Sequence, residues 1–182
     1  MNKNNYFILT GAMGAGKTSV INKIKEKRIR CIYEPARIIL KEQRAIGGDG
    51  IPEKNPELFN ELMLAKMISE YKSNLERNEV VVFDRGIPDI IAYADLLQTK
   101  KEMSEIAAAE FRYNKHVFMF NGCEDIYKND DERKVDFQTA NNFGMELRKI
   151  YKGLDYTIID VPLLPIDERA GFIIAAINSF KD

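Results

Sequence analysis

The chain has 182 residues, which is enough for one sizeable hydrophobic core and too few for two comfortable domains. Its residues are 45% hydrophobic and 30% charged, which argues against extended disorder, and no apolar run approaches the ~20 residues that a membrane helix needs. The 27 basic and 28 acidic residues give a formal charge of -1, which removes the usual electrostatic reason to expect a nucleic-acid partner. Because the chain has only two cysteines and a polar start unlike a secretory signal, we expect a cytoplasmic protein. The sequence leaves the oligomeric state open.

Short apolar runs, typical of buried strands, alternate along the chain with amphipathic segments typical of helices. The predicted strands cover residues 6–10, 29–33, 80–83, 117–120 and 156–159. The predicted helices cover residues 17–28, 37–44, 56–75, 88–97, 101–113, 136–151 and 166–180. Because parallel strands need crossover connections, this order predicts a mostly parallel five-stranded sheet with helices on both faces. The expected fold is a three-layer α/β/α sandwich.

The most specific motif lies between the first predicted strand and the first predicted helix, and it reads Gly11-Ala12-Met13-Gly14-Ala15-Gly16-Lys17-Thr18. It satisfies the P-loop pattern, in which small residues let backbone N–H groups surround a phosphate and the next helix directs its positive end at the same charge. We therefore expect this turn to bind a nucleotide, with Lys17 reaching the β- and γ-phosphates and the Thr18 hydroxyl binding Mg²⁺. Ser19 either assists at the helix start or is simply a helix residue.

A dinucleotide-binding fold is a competing interpretation of this turn. Gly14 and Gly16 have the G-x-G spacing, and Glu34 lies 20 residues after Gly14. However, the third glycine would fall on Ser19, and Lys17 would crowd the pyrophosphate turn, so the P-loop pattern fits better. A tight glycine turn that binds no nucleotide is the plain structural alternative.

An acidic and a basic residue follow the second predicted strand, in the sequence Glu34-Pro35-Ala36-Arg37. Ligands of open α/β sheets bind outside the carboxyl ends of the strands, where both side chains would lie. Glu34 is suited to accept hydrogen bonds from a hydroxyl group of the acceptor, and Arg37 is suited to bind a phosphate or carboxylate. The alternative for this pair is a surface ion pair near a helix start.

The third predicted strand ends in the sequence Asp84-Arg85-Gly86. In P-loop proteins an acid at this position can orient water bound to Mg²⁺ or take the proton of the acceptor hydroxyl. We expect Asp84 to have one of these roles and Arg85 to contact the acceptor phosphate or the transferred group. Gly86 lets the chain turn closely past a bound ligand. The alternative is a common strand-end turn.

The charged segment 122–136 follows the fourth predicted strand, where many small kinases have a mobile lid. Arg133 is the first candidate, and Lys134 the second, for a lid residue that neutralises charge on the transferred phosphoryl group. A solvated connection is the usual meaning of such a charge run. Residues 161–165 form an apolar loop that either lies against adenine or simply joins a strand to a helix. His116 and the cysteines lack a metal-binding pattern and are predicted to be core or surface residues.

The P-loop, the Glu34–Arg37 sequence and the run Phe-Asp-Arg-Gly-Ile-Pro-Asp-Ile-Ile-Ala-Tyr at residues 83–93 together resemble a known family. They resemble a bacterial ATP-binding group classed with AAA domains of the P-loop NTPase superfamily. That group is similar to nicotinamide riboside kinase domains and, more distantly, to thymidylate and deoxynucleoside kinases. The resemblance covers nearly the whole chain and implies one kinase-like domain over residues 1–182, with the third strand beside the first. It also implies that Asp84 faces Mg²⁺ and the acceptor, and that Arg37 and Arg85 line the acceptor pocket.

These observations predict Mg-ATP-dependent phosphoryl transfer to a small, nucleoside-like or other acceptor that carries a hydroxyl or phosphate group. The expected cofactors are ATP and Mg²⁺, and the predicted catalytic residues are Lys17, Asp84, Arg85 and Arg133. An ATPase or nucleotide-dependent switch that acts on a macromolecular partner is the alternative. A nucleotide-binding module without chemistry is a third possibility, against which the intact Lys17, Thr18 and Asp84 argue.

Overall fold

The computed structural model describes residues 1–123 and 136–180, which form five strands and seven helices. The strands are β1 (Tyr6–Gly11), β2 (Arg30–Ile32), β3 (Val81–Asp84), β4 (His116–Phe120) and β5 (Thr157–Asp160). The helices are α1 (Lys17–Glu26), α2 (Pro35–Ile46), α3 (Pro56–Ser73), α4 (Ile87–Leu97), α5 (Glu102–Glu110), α6 (Phe137–Gly153) and α7 (Ile166–Ser179). Within the described ranges, no helix has both the length and the apolar character that a bilayer crossing requires.

The five strands form one sheet in the order β2-β3-β1-β4-β5, and every neighbouring pair is parallel. β1 lies at the centre, where Ile8 is opposite Phe83 on one side and Val117 on the other. The predictions of a mostly parallel sheet and of a third strand beside the first are therefore confirmed. Because the strands run in one direction, the segments that follow β1, β2 and β3 meet at one edge of the sheet.

Helices cover both faces of the sheet. Successive side chains of a strand point to opposite faces, and β1 shows this alternation clearly. Tyr6 and Ile8 pack into a core with α2, α3, α4, α5 and α6, whereas Phe7 and Leu9 pack into a second core with α1 and α7. The predicted three-layer α/β/α architecture is confirmed.

Helices α1, α3, α5 and α7 end earlier than predicted, and at α3 and α5 a hydrogen bond competes with the next helical turn. At the end of α3, the side chain of Asn74 donates to the carbonyl oxygen of Glu70 at 2.7 Å. Beyond the end of α5, the backbone N–H of Arg112 donates to the Met1 carbonyl at 2.8 Å, and its own carbonyl accepts from the Lys3 N–H at 2.9 Å. This pairing with the start of the chain draws residues 111–113 out of the helix.

Candidate functional site

The turn between β1 and α1 has a backbone conformation that favours glycine. Gly11, Gly14 and Gly16 have φ angles of 126°, 72° and 82°, in the left-handed region that side chains disfavour. Gly11 is also confined by its neighbour, because a Cβ atom there would lie 2.1 Å from the carbonyl oxygen of Phe120. The turn therefore favours glycine at all three positions, and at Gly11 the packing against β4 also requires it.

Lys17 is the first residue of α1, and its side chain folds back over the turn. Its ammonium group donates to the carbonyl oxygens of Gly11 at 3.3 Å and Ala12 at 2.7 Å, and the residue is buried. The first turn of α1 adds backbone N–H groups that have no acceptor inside the helix, together with the positive end of the helix dipole. A fixed ammonium group and a helix N-terminus thus meet at one point, which is suited to bind an anion.

A cavity of about 170 Å³ lies beside this turn. Its lining comes from three parts of the chain: residues 13–19 of the turn and α1, Glu34 and Arg37 after β2, and Arg85 after β3. The structure thus brings the predicted phosphate-binding turn and all three predicted acceptor-binding residues to the same cavity. Glu34 and Arg37 also form the ion pair near a helix start that the alternative interpretation predicts, and this pair lines the cavity.

Arg85 is the most deeply buried cation of the site, with 1% of its surface exposed. Its Nε donates to Oε1 of Glu34 at 2.8 Å, and its Nη1 donates to Oδ1 of Asp89 at 2.9 Å and to the Gly11 carbonyl at 3.2 Å. Burial opposes the charge, but the surrounding Tyr93, Glu34 and Asp89 outweigh burial and raise the pKa of Arg85 well above its usual value. The φ angle of Arg85 is 73°, so its backbone is also held in the left-handed region. Arg85 is thus a fixed cation that joins the P-loop to the ends of β2 and β3.

Asp89 is a central residue of this network that the sequence analysis missed. Its Oδ1 accepts from Thr10 Oγ1 at 2.6 Å, besides Arg85. Its Oδ2 accepts from the Tyr151 hydroxyl at 2.5 Å and from the Gly86 N–H at 3.0 Å. Burial and the Asp89 carboxylate raise the pKa of Tyr151 well above its ordinary value, so the phenol keeps its proton and donates it. A charged residue in the otherwise apolar start of α4 was the available signal for this role.

Glu34 faces both the buried network and the cavity. Its Oε1 accepts from the Tyr93 hydroxyl at 3.1 Å as well as from Arg85, while its Oε2 lies 3.4 Å from Nε of Arg37. Glu34 is nearly buried, whereas 35% of the Arg37 side chain is exposed. Two guanidinium groups of the described residues meet this carboxylate, and that of Arg37 is much more exposed than that of Arg85.

Asp84 is the last residue of β3, beside Leu9 in the sheet, and is 2% exposed. The residues that the structure describes contain no group of three or more His, Cys, Asp and Glu side chains that could hold a metal. Mg²⁺ in phosphoryl-transfer sites needs only one or two protein oxygens, because waters and phosphates supply the rest. The Thr18 hydroxyl and the Asp84 carboxylate are oxygen donors of this kind, so the residues present fit the predicted ion.

The remaining predictions concern the candidate lid, His116 and the loop after β5. Arg133 and Lys134, with most of the candidate lid at 122–136, lie outside the described residues. His116 opens β4 at the opposite edge of the sheet and stacks on Phe180 with 3.8 Å between ring centroids. In the loop after β5, Leu163 is 61% exposed, which fits a contact with adenine and a plain strand-to-helix connection equally.

Comparison with known proteins agrees with this fold. Residues 6–169 match the protein family described as an AAA domain. The chain belongs to this AAA-domain family. Together with the sheet order and the P-loop, this membership makes it a kinase-like member of the P-loop NTPases. A search of curated proteins gave no match.

Several solved structures share the fold of this AAA-domain protein at low sequence identity, among them three kinases or related proteins. A deoxyadenosine kinase from M. mycoides is 16% identical with a TM-score of 0.64, and the match covers 96% of this chain and 98% of that one. A shikimate kinase from Acinetobacter baumannii is 18% identical with a TM-score of 0.62, covering 97% and 94%. The NadR protein in complex with NR is 17% identical with a TM-score of 0.66, and the chain spans 96% of its own length but only 51% of NadR.

Proposed function

We propose that this AAA-domain protein is a Mg-ATP-dependent phosphotransferase that acts on a small molecule with a hydroxyl or phosphate group. The observation that carries the proposal is the composition of one cavity, which has the P-loop on one side and Glu34, Arg37 and Arg85 on the other. Hydrolysis of ATP requires only the phosphate-binding side. A carboxylate and guanidinium groups opposite it offer a second molecule a place next to the terminal phosphate.

In this proposal the P-loop residues position the nucleotide. The backbone of residues 11–19 and the Lys17 ammonium group bind the β- and γ-phosphates, and they stabilise the charge that develops during transfer. Thr18 and Asp84 would hold Mg²⁺, which neutralises phosphate charge when it is bound. The kinases of similar fold support ATP as the phosphoryl donor.

The second side of the cavity would bind the acceptor. Arg37 is partly exposed and suited to bind an anionic group of the acceptor, while Glu34 accepts a hydrogen bond from its hydroxyl. Arg85 lines the cavity, but its Nε and Nη1 already donate to Glu34, Asp89 and Gly11. Arg85 therefore contributes mainly by holding the Glu34 carboxylate in place, and it also adds a positive charge to the cavity wall.

The test is transfer of label from γ-labelled ATP to a panel of hydroxyl- and phosphate-bearing metabolites in the presence of Mg²⁺. We expect label in at least one acceptor, and its loss in Lys17→Ala but not in Lys41→Ala, which removes an exposed lysine of α2. With the acceptor identified, Arg37→Met is expected to raise the KM for the acceptor at least about tenfold and to leave the KM for ATP nearly unchanged. Release of the label only as inorganic phosphate with every metabolite of the panel would contradict the proposal.

A further inference from the structure

Arg169 of α7 reaches the phosphate-binding turn, although it plays no part in the predicted site. The residue is 8% exposed, and its Nη1 donates to the carbonyl oxygen of Ala15 at 3.3 Å. The same nitrogen lies 3.4 Å from the point where a Cβ atom of Gly16 would stand. The guanidinium group therefore packs directly against the peptide that joins Ala15 to Gly16.

The contact between Arg169 and Ala15 fixes the direction of the Gly16 backbone N–H. In a planar trans peptide the C=O and the following N–H point in opposite directions. Because the Ala15 carbonyl points at Arg169, the N–H of Gly16 points away from Arg169. Gly16 belongs to the lining of the phosphate-side cavity and caps α1 with a φ of 82°. Arg169 thus holds this peptide in the orientation that presents an N–H group to an anion.

In the described part of the chain, the charge of Arg169 also lacks a local counter-ion. Among residues 1–123 and 136–180 no carboxylate lies within ion-pair distance of its guanidinium group, and its buried Nε has no hydrogen-bond partner there. The acid two positions earlier, Asp167, lies 3.4 Å from Lys23 instead. A buried cation without a counter-ion is unfavourable, and an anion bound at the adjacent turn would relieve that cost.

We propose that Arg169 is a positioning residue of the nucleotide site, which fixes the Gly16 amide toward the phosphates and adds a permanent positive charge behind the turn. The inference rests on the proposed binding of nucleotide phosphates at residues 11–19. The affinity for nucleoside di- and triphosphates should therefore depend on Arg169 of the last helix. The affinity for the nucleoside alone should not depend on it.

The test uses the full chain and the variants Arg169→Met, which keeps the apolar length, and Arg169→Lys, which keeps the charge. Arg112→Met is the matched control, because Arg112 donates in the same way to a backbone carbonyl, that of Leu154 at 2.6 Å, but beside the amino end of β4. Calorimetry with ADP, ATP and adenosine should show that Arg169→Met weakens ADP and ATP binding at least about tenfold. Arg169→Lys should recover part of that loss, and Arg112→Met should cause none.

A second measurement distinguishes positioning from general stability. In ¹⁵N–¹H spectra the Gly16 amide of the wild type should shift on addition of ADP, and this shift should be much smaller in Arg169→Met. If Arg169→Met lowers the melting temperature but binds ADP with unchanged affinity and an unchanged Gly16 shift, the inference is wrong while nucleotide binding stands. If the wild type itself binds no ADP or ATP, the proposed function fails, and the inference fails with it.

Discussion

Nε of Arg85 donates a 2.8 Å hydrogen bond to Oε1 of Glu34, and the two side chains are only 1% and 4% exposed. The residues lie 51 positions apart and meet because parallel β2 and β3 end at the same edge of the sheet. A buried ion pair repays its desolvation only when further hydrogen bonds complete it. Asp89 and the Gly11 carbonyl supply them, so the acceptor side of the cavity and the P-loop share one network.

Replacing Arg85 should therefore be costly to the fold. Arg85→Met removes the buried cation that the Glu34 and Asp89 carboxylates share, and we expect it to lower the free energy of unfolding by about 3–5 kcal/mol. Urea denaturation measures this loss. Arg148→Met is the control, since it removes a partly exposed ion pair with Asp160 and should cost no more than about 1 kcal/mol. Equal losses in the two variants would contradict the role of the buried network.

Asp84→Asn should separate binding from chemistry. The substitution preserves the shape of the side chain and removes the charge that is proposed to hold Mg²⁺ or to accept the acceptor proton. We expect the Kd for ADP in the absence of Mg²⁺ to stay within about threefold and turnover to fall at least about 100-fold. Steady-state phosphoryl transfer measures the turnover, and calorimetry on the same preparation measures the Kd for ADP. Unchanged turnover would remove Asp84 from the proposed catalytic residues.

Two glycine substitutions should have opposite effects on stability. Gly11→Ala would place a Cβ atom 2.1 Å from the Phe120 carbonyl oxygen at a φ of 126°, and we expect severe destabilisation. Gly171→Ala lies on the exposed side of α7 with no atom within 4 Å of the new Cβ, and it should raise the free energy of unfolding by about 0.5–1 kcal/mol. Thermal and urea unfolding test both. An unchanged free energy of unfolding in Gly11→Ala would contradict the tight packing of the P-loop against β4.

The two cysteines should differ in reactivity. Burial raises the pKa of the Cys31 thiol to about 11, so less than about 1% of it is thiolate at pH 8, whereas Cys123 is partly exposed. A thiol reagent at pH 8 should modify Cys123 quickly and Cys31 only after denaturation. Cys123→Ser should abolish the fast phase. A fast phase that persists in this variant would show that Cys31 is accessible.

The fold could be predicted because its signals are local. Short apolar runs, amphipathic segments and the P-loop glycines each act over a few residues, and they fix the type and order of the elements. The Asn55 cap is an example: its side chain accepts from the Leu58 N–H at 3.0 Å, so α3 starts where the Asn-Pro sequence predicts. The sequence also placed Glu34, Arg37 and Arg85 at one edge, since parallel topology requires it.

The contacts that complete the site could not be predicted, because they join distant parts of the chain. The Asp89 carboxylate meets Tyr151 across 62 positions, and Arg169 meets Ala15 across 154. No periodicity or motif encodes such a pair. Similarly, the burial of Arg85 follows from packing among Glu34, Asp89 and the ring of Phe143 in α6, and the sequence alone did not predict it.

The most direct test of the central claim is calorimetric titration of ATP, in the presence of Mg²⁺, into the wild-type protein and into Lys17→Ala. Because Lys17 and the start of α1 form the proposed phosphate site, we expect one ATP per chain in the wild type and an affinity at least about 100-fold weaker in the variant. Circular dichroism should confirm that both proteins are folded. Absence of ATP binding by the folded wild type, or equal affinity in the two proteins, would contradict the account.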